Sequence, residues 1–266
     1  MSHYAVLVLH KANQNIDDML APYSENLEVE PYKEYTKQEA LDYIKKEYVP
    51  YNDFMKNYSD DELINWFVNQ YGSYSIGKDG NIYSTYNPNS KWAWYQIGGR
   101  FDGELHLTDE ALLEGIKEYK DHHKYEVPKE DYELYRTVNS APIKDIQWIT
   151  HLSDDEKEKY RRWWAINVEG EEPEDGEAKD DHFFWNPEWY KQRYRDAETY
   201  IRTIELPCYH AVVTPDGEWH EESRMLFFAC TDGSPEDELE WDLNFYDTFL
   251  KNENSNYIAT IVDCHI

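Results

Sequence analysis

The 266-residue chain is short of positive charge, with 26 Lys plus Arg against 55 Asp plus Glu, a formal net of −29. A field of that sign repels phosphate backbones and anionic headgroups, which argues against direct nucleic-acid binding and against a membrane surface. Cysteine is scarce as well. Cys208, Cys230 and Cys264 form no CxxC pair and no zinc-ligand spacing, as expected for free thiols in a reducing cytosol. No apolar run approaches the roughly 20 residues of a membrane span. The opening MSHYAVLVLHK has neither the basic region nor the apolar length of a secretory signal. A protein that stays inside a cell is expected.

Aromatic residues, by contrast, are plentiful: 24 Tyr, 10 Trp and 9 Phe. High net charge with modest hydrophobicity would suggest disorder, but each aromatic ring can bury a large area on folding. The expectation is a folded, strongly acidic globule.

The apolar patterning defines an α+β protein, with an antiparallel or mixed sheet that includes both terminal strands, helices on one face and a helical, acidic insertion. His3 to His10 is apolar almost throughout, as a central strand would be. Thr36 with Glu39, Ser59 with Glu62, and Ser153 with Glu156 have capping-box spacing and open helices near 37–48, 60–71 and 154–165. Thr108 could cap 109–121, and Pro187 sits at the first turn of an expected helix over 187–202. Asp79-Gly80 and Asp216-Gly217 are hairpin turns. Strands are expected at 210–214, from Trp219, at Met225–Cys230 and over Tyr257–His265. Ser234 and Pro235 start a helix whose buried face carries Trp241, Phe245 and Phe249. These elements suggest three parts: residues 1–103 and 206–266 as the two halves of the core, and 104–205 as the helical, acidic insertion or subdomain.

Four short blocks resemble a family of uncharacterised proteins from tailed bacteriophages: SHYAVLVLH at 2–10, YNPNSKWAWYQIGGRF at 86–101, VTPDGEWHE at 213–221, and VDCHI at 262–266. The resemblance covers well under a fifth of the chain, and residues 104–205 have no counterpart in it. It implies a phage accessory protein working in the host cytoplasm, of the kind that inhibits host defence or redirects host machinery. It transfers no catalytic role.

Three groups of residues are candidates for function. His220, Asp263 and His265 could form a catalytic set if the strands near 220 and 263 are neighbours, with Asp263 and His265 on one strand face and Cys264 on the other. Gly98, Gly99 and Arg100 could bind an anion through backbone amides and a guanidinium, and Trp92 and Trp94 beside them could stack a base. That segment lacks the GK[ST] ending of a P-loop and is not GxGxxG. Asp154, Asp155, Glu171, Glu172, Glu174 and Asp175 could copy a phosphate track for a partner, although Gly170, Pro173 and Gly176 loosen that loop. The histidines show no His-x-His or HExxH spacing, so no metal and no cofactor are expected.

The leading expectation is therefore a binding protein rather than an enzyme. It would engage a basic host surface and inhibit or redirect the protein that carries it, in the manner of an anti-defence factor acting as a DNA mimic. The alternatives are a hydrolase or nucleotide-modifying enzyme built on the Asp/His pair, and a virion component. No feature of the sequence specifies an oligomeric state.

Overall fold

The computed structural model describes residues 2–123, 126–177, 179–180, 186–224, 231–251 and 256–266. The strands are β1 (His3–His10), β2 (Tyr32–Tyr35), β3 (Tyr74–Ile76), β4 (Ile82–Ser84), β5 (Trp94–Ile97), β6 (Leu105–His106), β7 (Thr137–Val138), β8 (Ser140–Pro142), β9 (Ala211–Val213), β10 (Trp219–Glu221) and β11 (Ile258–His265). The helices are α1 (Ile16–Leu20), α2 (Lys37–Glu47), α3 (Asp60–Gln70), α4 (Asp109–His123), α5 (Asp154–Trp164), α6 (Pro187–Tyr194), α7 (Ala197–Glu205) and α8 (Pro235–Phe245). The expected strand over 225–230 lies outside the described residues.

The apolar run of β1 places it inside the main sheet, whose order is β10-β9-β1-β11-β5. β1 runs antiparallel to β11 from His3 opposite His265 to His10 opposite Ile258, and parallel to β9. Both terminal strands thus lie in one mixed sheet of an α+β fold. Leu7, Leu9, Val212, Ala259 and Ile261 share a core with Phe245 of α8 and Leu250 of the π-helical turn that follows it, Tyr246–Leu250. Trp241, Tyr246 and Phe249 pack against the same core. Truncating a buried leucine such as Leu7 in a site of this kind costs about 2–5 kcal/mol. The opposite face is no less buried: Val6, Val8, Val262 and Cys264 are all inaccessible to solvent.

The chain divides into two compact units, residues 1–20 with 94–266, and residues 21–93. These limits differ from the sequence-based boundaries at 103 and 205. The smaller unit has its own sheet, β2-β4-β3, and its own core of Ala40, Leu41, Ile44, Leu63, Ile64, Phe67 and Ile82. Its helices α2 and α3 begin with the reciprocal hydrogen bonds expected of Thr36 with Glu39 and Ser59 with Glu62.

In the larger unit, residues 104–205 are not purely helical. β6 pairs with β7, and β8 joins the main sheet against β11. Ser140-Ala141-Pro142 contains no β-branched residue, so the segment gives no local strand signal and is held by its tertiary partner. The single helix expected over 187–202 is two helices. Arg195 breaks it at a φ of 69°, and Asp196 caps α7 by accepting the Thr199 N–H at 2.8 Å.

A buried arginine fixes α6 to α8. Arg193, with a side chain 7% exposed, lies 3.1 Å from Glu238, 2.5 Å from Asp242 and 3.7 Å from Glu222. Loss of water raises the Asp242 carboxyl above its ordinary range despite the adjacent guanidinium. The Cys208 thiol donates to the other Asp242 oxygen at 2.9 Å. One arginine here faces three carboxylates in a site that excludes most water.

Candidate functional site

β11 carries Asp263 and His265 on one face, as alternation requires, and Cys264 on the other. The register places His265 between His3 on β1 and Trp94 on β5. The three rings meet as a cross-strand ladder. His265 stacks on Trp94 at 4.8 Å and 16°, and His3 sits edge-on to His265 at 4.9 Å. Asp263 lies between Ala5 and Gln96, where the small Ala5 leaves space for a carboxylate. Its Oδ1 is 2.8 Å from Nδ1 of His3, the diagonal neighbour across the strand pair.

The Gly98-Gly99 turn follows from a crowded strand edge. β5 pairs with residues 262–265 of β11 and β8 with residues 258–260, so the chain must leave that edge after Ile97. Gly98 and Gly99 make the exit at φ values of 70° and 59°. Side chains then fill the turn. A Cβ on Gly98 would meet Asn139 Nδ2 at 2.5 Å, and one on Gly99 would meet Asp263 Cβ at 2.5 Å. Only glycine satisfies both demands.

The backbone cradle predicted to bind an anion is therefore filled by the protein's own carboxylate. The Arg100 N–H donates to Asp263 Oδ2 at 2.9 Å, while Oδ1 is engaged by His3. Two candidates from the sequence, Asp263 with His265 and Gly98-Gly99-Arg100 with Trp94, are one constellation, in which both Asp263 oxygens already have partners within the protein. His265 is buried, and its Nδ1 has no hydrogen-bond partner among the described residues.

His220 is not part of this group. It lies on β10 opposite Val212, and β9 and β1 separate it from β11. Three strand spacings put the strands about 14 Å apart. His220 instead contacts Phe249, Thr214 at 3.3 Å and Glu218 at 3.8 Å. Cys264 is buried on the far face opposite Tyr4, and burial raises its thiol pKa away from the reactive range. Trp92 lies in the smaller unit, in an isolated bridge to Ser24. A cavity of about 640 Å³ lies elsewhere in the larger unit, lined by residues that include Glu104, His106, Trp148 and Tyr209, and holds none of the predicted site residues. Among the described residues, no group of three His, Cys, Asp or Glu side chains is arranged to hold a metal ion.

The acidic candidates form a second, more exposed site. Ser153 and Glu156 complete their capping box, so Asp154 and Asp155 occupy the exposed first turn of α5. Within its last turn, α5 presents Arg162 to the loop that the sequence marked as loose. Its guanidinium reaches Glu171 at 2.7 Å, Glu177 at 2.8 Å and the Glu172 carbonyl at 3.0 Å. Glu177 in turn accepts the Glu174 N–H at 2.7 Å. The Arg162 hydrogen bond first, and the Glu174 N–H second, hold the Glu177 carboxyl below its usual range. The loop is thus pinned along α5. Among the described residues, Asp154, Asp155, Glu172, Glu174 and Asp175 form no ion pair and are exposed.

Two residues central to these sites escaped the sequence reading. His3 looked like the first residue of a strand, and its partner lies 260 positions away. Arg162 is one of several positive charges on an acidic helix, beside Lys157, Lys159 and Arg161, and its spacing to Glu171 and Glu177 matches no helical repeat. Compared with family models, curated proteins and solved structures, the chain matches none.

Proposed function

We propose that the chain is a phage-encoded acidic accessory protein that acts in the host cytoplasm. It binds a basic, nucleic-acid-binding surface on a host protein and inhibits or redirects that protein, as an anti-defence factor would. The observation that carries this reading is the Arg162 pin. A mimic of a phosphate track needs carboxylates that are both unpaired and fixed in place; Arg162 fixes the loop, and among the described residues Glu172, Glu174 and Asp175 form no ion pair. The net charge of −29 supplies long-range attraction for a basic partner. The blocks that resemble tailed-phage proteins supply the setting. Among the described residues, no helix is long and apolar enough to cross a membrane.

The test is capture of a partner from infected-cell lysate, followed by rebinding of that purified partner. Wild type should bind it in a salt-sensitive manner. A Glu172→Gln, Glu174→Gln, Asp175→Asn triple variant should lose it, and Asp263→Asn should keep it. Undiminished binding by the triple variant would overturn the reading.

An enzyme is the second reading, and the His3–Asp263 hydrogen bond favours it. In that case His3, not His220, is the partner of Asp263. Turnover of a panel of hydrolase and nucleotide substrates should then fall in His3→Gln. Equal turnover by His3→Gln and wild type would end that reading.

A further inference from the structure

Helix α8 bounds a groove that the acidic loop does not touch. Trp241 and Phe249 line it, over the buried Phe245, together with Glu222, Asp237 and Glu240, around a volume of about 430 Å³. The rings support one another, with Trp241 and Phe249 centroids 5.6 Å apart and Phe245 and Phe249 centroids 5.2 Å apart. The indole N–H donates to the Tyr209 carbonyl at 2.9 Å, which fixes the Trp241 ring in position.

The charges are not balanced within the groove. Glu222 is already approached by Arg193 at 3.7 Å and by His210 at 3.5 Å. Asp237 Oδ2 accepts the Ser234 hydroxyl at 2.7 Å. Glu240 is exposed and forms no ion pair among the described residues. No Lys or Arg of the described residues lines the groove. Such a lining repels anions, and its carboxylates would be desolvated at a cost by a purely apolar ligand. A guanidinium meets both demands. Its flat face packs on an aromatic ring and its edge donates to carboxylates.

We propose that the α8 groove receives an arginine side chain of the protein partner. The proposal rests on the reading that this partner is basic, and it adds a second, chemically distinct point of attachment. The loop supplies a line of charge, whereas the groove supplies an aromatic wall that selects arginine over a general positive charge.

The test uses the full chain labelled with 5-fluorotryptophan and observed by fluorine NMR. The Trp241 signal is assigned from its disappearance in Trp241→Phe. Titration with an acetylated, amidated tetra-arginine peptide should move that signal saturably. A tetra-citrulline peptide, equal in shape and uncharged, should not move it. Glu240→Gln, an exposed change that leaves the core intact, should weaken the arginine peptide roughly threefold to fivefold. The triple loop variant should leave the Trp241 response in place. A Trp241 signal that stays still at saturating peptide, or equal affinity in Glu240→Gln, overturns the proposal. A Trp241 response that persists while the triple loop variant still captures its partner overturns the loop reading and leaves the groove standing.

Discussion

Arg193 and Arg162 have similar partners and opposite surroundings. Arg193 lies 7% exposed among Glu222, Glu238 and Asp242 and joins α6 to α8. Arg162 lies 27% exposed against Glu171 and Glu177 and holds a loop to α5. Burial decides what each can do. Away from water, a charge left without its partner is costly, so Arg193 is bound up with the stability of the fold. Near the surface, water and salt screen the same interaction, so Arg162 contributes position more than stability. One arginine supports the architecture, and the other fixes the course of an exposed acidic loop.

The largest expected effect comes from breaking the buried side of this comparison. Arg193→Met should lower unfolding stability by about 3–5 kcal/mol in urea titration, since three largely buried carboxylates lose their counter-charge. A midpoint near that of wild type would mean that the cluster is hydrated and the contrast false. Next is Asp263→Ala, which removes the acceptor of the Arg100 N–H and of His3. It should cost about 1–3 kcal/mol by the same measurement, because buried donors lose their acceptor. Ser153→Ala should cost about 1 kcal/mol through loss of the α5 cap.

Arg162→Ala should leave the urea midpoint unchanged while amide exchange over residues 170–177 accelerates and partner capture falls. Slow exchange in that variant would show that the loop does not depend on its pin.

The smallest effect is a response to acid, and it separates the two sites by sign. The folded-state pKa of Glu177 is depressed, so its contribution is complete above the unfolded carboxylate value of about 4.3. It is lost as pH falls through the lower folded value, and exchange in the loop should rise over that window. The folded-state pKa of Asp242 is raised. Ionising it costs stability as pH climbs from its unfolded value of about 3.9 through the folded one, and acidification relieves that cost. Asp242→Asn should remove this dependence from the unfolding curve.

Local chemistry made some of this legible in the chain. The three capping boxes form as their spacing dictates, because each needs only residues three apart. The central position of β1 and the buried face of α8 followed from apolar period. The split of Asp263 and His265 from Cys264 followed from strand alternation, which no distant contact can alter. The Gly98-Gly99 pair was readable as backbone that could close on an anion, but not as the turn that the Asp263 carboxylate fills. β8 was invisible because its strand conformation comes from β11 rather than from its own residues. The 187–202 stretch read as one helix although Asp196 was a legible cap, because helical propensity runs through the break at Arg195.

Sequence by itself determined the signs and the periods: an acidic chain, a mixed α+β pattern, and the face on which each strand residue lies. Those properties are set by residue type and by spacings of a few positions. Tertiary structure alone decided the partners. It gave Asp263 to His3 and the Arg100 amide, kept His220 three strands away, and placed Arg162 where it turns a loose acidic loop into a fixed one. The physical reason is range. Backbone preferences act within a turn, whereas the contacts that neutralise, bury or expose a charge here join residues as far as 260 positions apart.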